Sequence, residues 1–291
     1  MTPRFCRRSL PLAALLLAAL PVSAQEADTL YFSAIPDDDE TRLAERFGAV
    51  ADYLSQELDV PVEFVPVKSY PAAVTAFRND QVQLAWFGGL SGVQARLLVP
   101  DARAIAQGDE DQSFVTYFIA NTETGLTESE GFPEEARGMS FTFGAKTSTS
   151  GRLMPEYQIR EQTGEAPEEF FGRVGFSGDH AQTLRLVASG AWQVGALNFT
   201  VYDQAVTEGA PEVETAKVIW KTPPYPDYNW TIRGDVDARW GEGFADRVQA
   251  ALIGMTDPAL LAAFPRNAFV PATNEDYAPI EAVGRQLDLL E

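Results

Sequence analysis

An α/β fold in two lobes is what this sequence predicts, and three observations carry the prediction. Short apolar strand-like runs alternate with helix-like stretches along most of the chain. At 291 residues the chain exceeds the usual size of a single domain, even after removal of a leader. A polar, turn-rich stretch at 122–137 separates two such alternating sets.

The first 24 residues read as a secretory signal that is not part of the fold. Arg4, Arg7 and Arg8 form a basic start, 10–20 is an apolar run of Leu and Ala, and Val22-Ser23-Ala24 is a small-residue cleavage site. The apolar run is too short for a membrane span, and no other window reaches a spanning length. Cys6 is the only cysteine and precedes the apolar run, so it cannot carry a lipoprotein lipid, and no disulfide is expected in the mature chain. A soluble periplasmic monomer without an integral membrane segment is expected.

The elements follow in order. Residues 30–34 predict a first strand. A helix is predicted over 41–58, with Leu43, Phe47, Val50, Leu54 and Leu58 on one face at spacings of three and four. A strand over 62–67 comes next. Ser69 then caps a helix that carries Pro71 in its first turn and runs to about Arg78. A short strand over 84–87 ends at Gly88-Gly89 and leads into a helix to about Val99. Strands over 102–107 and 114–120 close the first set. The second set reads as strand 140–143, helix 150–162, strand 173–176, helix 179–189, strand 194–197, helix 200–208 and strand 218–221. Residues 222–230, TPPYPDYNW, predict a rigid loop rich in proline and aromatics. Helices near 243–254, 258–264 and 275–290 fill the tail. The division is 1–24 signal, 25–120 with 222–291 as lobe one, and 121–221 as lobe two. Two chain crossings make a hinge, and ligand sites in such folds lie in the cleft at strand ends.

A net charge of −20 disfavours nucleic acid and anionic membranes as partners. It does not exclude an anionic ligand held at contact distance, because the long-range field is screened beyond roughly 8–10 Å.

The stretch FTFGAKTSTSGRLMPEY, residues 141–157, carries the sharpest local signal. A strand ends at Gly144, and Thr147, Ser148, Thr149, Ser150 and Gly151 lead into a helix. Unpaired N–H groups, hydroxyls and the helix dipole can together seat an oxyanion there, and a plain capped helix is the bland alternative. Pro155 fits imperfectly in the second turn if Ser150 is the cap, because it leaves a carbonyl unpaired. His180 is the only histidine and stands at a second strand–turn–helix junction. It can donate to an oxyanion, and adds charge if protonated. Asp227, flanked by Tyr225, Tyr228 and Trp230, can accept a hydrogen bond from a protonated oxyanion or from a ligand ammonium group. Trp86, Phe87, Gly88, Tyr70 and Asn198 stand at further strand ends or helix starts, and together suggest a lined cleft. No serine-hydrolase elbow, dinucleotide fingerprint or phosphate loop is present, and one histidine without a mature cysteine argues against a metal site. No cofactor is expected.

With the landmarks FSAIPDDD, VPVKSYPAAVTAFR, LAWFGG, FGAKTSTSGRLMPEY, FSGDHAQTL, VGALN and TPPYPDYNWTIRGD, the chain resembles the periplasmic phosphate, phosphite and phosphonate-binding proteins of ABC transporters, nearest to their selenate-binding branch. The resemblance covers nearly all of the mature chain. It implies a type II periplasmic binding protein fold that closes on a small oxyanion and delivers it to a membrane permease. It places the anion on Ser148, Thr149 and Ser150, with His180, Asp227 and Tyr70 as further contacts. Phe199 stands where relatives often carry Glu, which makes an aminoalkylphosphonate a poorer fit than phosphite, a small phosphonate, selenate or selenite. A periplasmic sensor module for a receptor is the alternative role, and a hydrolase built on His180 is the less favoured one.

Overall fold

The computed structural model of the chain describes Met1, residues 28–36 and residues 40–290, apart from the side chains of 40–44. The expected signal segment beyond Met1, with Cys6, lies outside the described residues, as do the side chain of Leu43 and the aspartates at 37–39.

Eleven named strands form two mixed sheets. They are β1 (Leu30–Ala34), β2 (Val62–Phe64), β3 (Leu84–Phe87), β4 (Arg103–Gly108), β5 (Thr116–Asn121), β6 (Ser140–Phe143), β7 (Arg173–Phe176), β8 (Val194–Asn198), β9 (Ala216–Lys221), β10 (Asn229–Ile232) and β11 (Phe269–Pro271). The first sheet has the order β11-β4-β10-β3-β1-β2, and the second β7-β6-β8-β5-β9. In the first, β1 runs parallel to β2 and β3, whereas β10 is antiparallel to both of its neighbours. In the second, β6 is parallel to β7 and β8, and β5 is antiparallel to β8 and β9. The period of two shows in β5, where Phe118 joins one core of this sheet and Ile119 the other. Helix Glu40–Leu58 buries Phe47, Val50, Leu54 and Leu58 in the core of the first sheet, as its spacing predicts.

Several expectations change. β2 ends at Phe64 rather than at 67, because Pro66 has no N–H to give a ladder. β5, which the division at residue 120 assigns to lobe one, is hydrogen-bonded within the second sheet, so the chain changes sheets at 109–115. The end of the expected 222–230 loop is instead β10, with Trp230 paired to Trp86 in the middle of the first sheet. β11 and the short helices Pro167–Phe170, Glu212–Thr215 and Val236–Trp240 went unpredicted.

The two crossings are stitched to each other. Phe114 and Tyr225 exchange backbone hydrogen bonds of 2.9 Å each, and Asp227 N donates to the carbonyl of Asp111 at 3.0 Å. Thr222 N donates to Thr116 O, and Thr116 N to the Thr222 hydroxyl, both at 3.0 Å.

Candidate ligand site

The hydroxyl run forms a cap, two residues earlier than Ser150. Ser148 is the N-cap, with extended backbone, and its Oγ accepts from Gly151 N at 2.9 Å. A π turn, Thr149–Leu153, follows and is closed by Leu153 N on the Ser148 carbonyl at 3.0 Å. The α-helix Met154–Thr163 takes over with Pro155 in its first turn. Pro155 has no N–H to offer the carbonyls of Gly151 or Ser150. Both find other donors: Gly144 N reaches Gly151 O at 2.8 Å, and the Thr116 hydroxyl reaches Ser150 O at 2.8 Å. The proline that made the cap ambiguous in sequence is thus accommodated by contacts from β5 and from the end of β6.

His180 begins the helix His180–Ala188, capped by Asp179. Asn198 N donates to its Nδ1 at 3.2 Å, which assigns the ring proton to Nε2, 3.4 Å from Ser148 Oγ. The imidazole is inaccessible, and burial lowers it to about 3, so it is a neutral donor and brings no charge. Ser148 Oγ therefore accepts two N–H groups, from Gly151 and His180. Its own proton is left to be given to an acceptor. Gly151 makes this meeting possible, since a Cβ there would lie 3.0 Å from both His180 Cε1 and Ser148 Oγ. Gly151→Ala is expected to weaken ligand binding at least tenfold while the melting temperature falls by only a few degrees, read by calorimetry and thermal denaturation. Unchanged affinity would remove the close approach from the account.

The opposite wall comes from the first sheet. β3 ends at Phe87, and helix Gly89–Leu98 starts from Gly88, which has no side chain to cap it. Its first N–H groups are satisfied from elsewhere. Gly89 N donates to Asp227 Oδ1 at 2.9 Å, and Leu90 N donates to the Thr149 hydroxyl at 3.0 Å, reaching from one sheet's unit to the other's. A Cβ on Gly88 would lie 3.2 Å from both Asp227 Oδ1 and Thr149 Oγ1, so glycine sets how closely the walls meet. Asp227 is buried, and its Oδ2 closes no hydrogen bond among the described residues. Burial pushes its carboxyl up to about 7, although the Gly89 N–H and the nearby Thr149 and Ser150 hydroxyls pull the other way. Asp111 adds to the upward push.

Polar side chains complete the surroundings. The Tyr225 hydroxyl bonds that of Thr116, whose proton is committed to the Ser150 carbonyl. Asn198 caps helix Phe199–Glu208 through Oδ1 and donates through Nδ2 to the Tyr228 hydroxyl at 2.9 Å. Tyr70 is buried at the start of helix Tyr70–Arg78. With Ser69, Gly144, Lys146 and Ser177 it lines an open cleft of about 580 Å³ between the two sheets' units.

Ser148, Thr149, Gly151, His180, Gly88, Asp227 and Asn198 thus converge through direct contacts, with Ser150 and Tyr225 joined through Thr116. Trp86 and Phe87 do not. Trp86 stacks on Tyr228 at 5.4 Å among Trp230, Phe264 and Phe269, and Phe87 meets Phe77 edge-on at 5.7 Å, so both rings belong to the core of the first sheet. Thr116 was missed, because a strand threonine carries no sign of its role. No group of three or more His, Cys, Asp or Glu among the described residues could hold a metal.

Residues 32–277 match the model of a family described as ABC transporter, phosphonate, periplasmic substrate-binding protein. The probable ABC transporter phosphite binding protein PhnD1 of Prochlorococcus marinus (strain MIT 9301) is 39% identical over 267 residues, covering 89% of this chain and 90% of that protein. The structure of PhnD1 from Prochlorococcus marinus in complex with methylphosphonate superposes with a TM-score of 0.85 at 38% identity, covering 89% of this chain and 98% of that one. A binding protein component of an ABC phosphonate transporter from Pseudomonas aeruginosa shares the fold, with a TM-score of 0.77 at 19% identity over 88% and 85% of the two chains.

Proposed function

Because the chain belongs to the family of periplasmic substrate-binding proteins of phosphonate ABC transporters, we propose that it captures a small, singly protonated phosphorus oxyanion, phosphite or methylphosphonate, between its two sheet units and hands it to a permease. One observation carries the choice of ligand. The hydroxyl turn supplies neutral donors, and a buried carboxylate with an unused oxygen stands beside them. Such a site favours a tetrahedral anion that donates one proton to Asp227 and accepts hydrogen bonds at its other oxygens. Selenate brings no proton at neutral pH, so Asp227 must hold one taken from solvent or meet the anion as an uncompensated like charge. It is therefore expected to bind less tightly than phosphite. PhnD1, the relative at 39% identity, bears the name phosphite binding protein, and its structure holds methylphosphonate.

The units about the crossings at 109–115 and 222–228 act as lobes that close on the ligand, with differential contacts favouring the closed state. No step makes or breaks a bond. His180 suits this role and not that of a base in a hydrolytic triad, because its Nδ1 accepts a backbone N–H where a triad histidine donates to a carboxylate. The leader at 1–24 serves export to the periplasm. No helix among the described residues is long and apolar enough to cross a membrane.

Calorimetric titration of the mature chain with phosphite, methylphosphonate, 2-aminoethylphosphonate, phosphate and selenate tests the reading. Phosphite and methylphosphonate are expected to bind most tightly and selenate least. Selenate binding as tightly as phosphite would overturn the assignment of a shared proton, and no heat with any phosphorus anion would overturn the ligand class.

A further inference from the structure

Behind Asp227 lies a buried ion pair that the binding of a ligand leaves unexplained. Asp111 belongs to the turn Glu110–Ser113 in the first crossing, and Arg266 to the segment before β11. The guanidinium forks onto the carboxylate, with Nε to Oδ2 at 2.8 Å and Nη2 to Oδ1 at 2.7 Å. The two side chains are 0% and 2% accessible. Nη1 donates to the carbonyls of Phe264 and Pro265, and the guanidinium lies over the rings of Phe114 and Tyr228. Gly108 N donates to Asp111 Oδ2 at 3.0 Å, and a Cβ on Gly108 would come 2.4 Å from that oxygen.

A buried pair of this kind is weak evidence for stability, since desolvation offsets most of the attraction. Its contacts point to a different role. The Asp111 carbonyl accepts the N–H of Asp227, and its carboxylate draws the N–H of Tyr228. Two consecutive backbone groups at the ligand site are therefore held by one residue, which Arg266 in turn locks.

We propose that Asp111 and Arg266 are positioning residues for the ligand site: the pair clamps the Asp227–Tyr228 backbone and so fixes where the Asp227 carboxylate stands against Ser148 and Thr149. The proposal rests on the reading of Asp227 as a ligand contact. The charged and titratable groups around Asp227 are Asp111, Arg266, Tyr225, Tyr277, Arg96 through Asn229, and His180 beyond Ser148. Of these, Asp111 is the group whose negative charge raises the proton affinity of Asp227.

The test uses the mature chain with Asp227→Asn, Arg266→Lys, Asp111→Asn and the Arg266→Lys/Asp227→Asn double variant. Affinities for phosphite and methylphosphonate come from calorimetry, and folding is checked by circular dichroism. Arg266→Lys keeps the charge and loses the fork. It is expected to weaken both ligands about tenfold in the native background and less than about twofold beside Asp227→Asn, because the clamp acts through that carboxylate. Equal loss in the two backgrounds would mean a general structural role and overturn the proposal. Asp111→Asn keeps the shape and removes the charge, and its arm needs no ligand. Carbon-13 NMR of the Asp227 carboxyl, assigned by its disappearance in Asp227→Asn, is expected to show a midpoint lower by about one pH unit or more. An unmoved midpoint would place Asp111 out of reach of Asp227, against the clamp. If Asp227→Asn binds both ligands as the native protein does, the ligand reading of Asp227 fails, whereas the NMR arm still decides whether Asp111 stands against it.

Discussion

Ser148→Ala is expected to cost one to two orders of magnitude in affinity for phosphite and methylphosphonate, and separately about 2–4 kcal/mol of folding stability. The two effects separate because the hydroxyl does two jobs. As a cap it satisfies Gly151 N, and caps of this kind contribute about 0.5–2 kcal/mol. As a relay in the proposed site it accepts the His180 Nε2–H, which leaves its own proton for a ligand oxygen. Removing it forfeits a charge-assisted hydrogen bond to the ligand, worth about 1.5–3 kcal/mol of affinity, and leaves a buried imidazole N–H without its acceptor, which adds about 1–3 kcal/mol to the loss of folding stability. Since 1.4 kcal/mol is about tenfold, the lost ligand hydrogen bond alone gives the stated range of affinity. Calorimetry and chemical denaturation on the same samples measure both quantities. A loss of stability with affinity unchanged within about twofold would reduce Ser148 to an ordinary cap.

Asp227→Asn is expected to move stability and binding in opposite directions. The folded carboxyl is raised to about 7 from 3.8, so between those values the folded chain holds a proton that the unfolded chain has lost. The Asp227 contribution to native stability therefore falls as pH rises from about 4 to about 7, and the variant, which carries no charge there, is spared that fall. At pH 8 the variant should be the more stable by about 2–4 kcal/mol. His180 works on the other flank. Its folded value lies near 3 against 6.5, so stability is lost in both proteins as pH falls through that window. Binding should show the cost. Native affinity for phosphite should fall about tenfold per unit above pH 7, where the shared proton is no longer available. The variant should bind phosphite more weakly at pH 6, lose most of that pH dependence and gain affinity for selenate. Denaturation midpoints at pH 5, 7 and 8, with titrations of both anions, decide the matter. A variant less stable than the native protein at pH 8 would contradict the burial argument.

The alternation of strands and helices was legible because periodicity is local, and Phe47, Val50, Leu54 and Leu58 report their shared face from spacing alone. β10 was not. Four residues following a proline-aromatic loop give no period, and what makes them a strand is the pair of partners β3 and β4, brought in from far along the chain. The site divides the same way. Ser148 to Gly151 and His180 announce themselves at helix starts. The true cap lies at Ser148 because Thr116 and Gly144 supply the donors that Pro155 withholds, and those contacts exist only in three dimensions. Trp86 and Phe87 misled because an aromatic pair before two glycines looks alike whether the rings face a cleft or a core. Asp227 was legible as an acid in an aromatic loop, but its role as the cap of a distant helix was not.

The place of β10 also governs the order in which the molecule can be assembled. The second sheet draws all of its strands from one uninterrupted stretch, Thr116 to Lys221. The first sheet needs residues 229–232 at its centre and 269–271 at its edge. A chain threaded through a membrane from its amino end delivers β1 to β4 first, yet β3 and β4 have no neighbour to share until the whole of the second unit has passed. For that interval the apolar strands nearest the amino end are the unfinished part of the protein, and the unit made later in sequence is the first that can be completed.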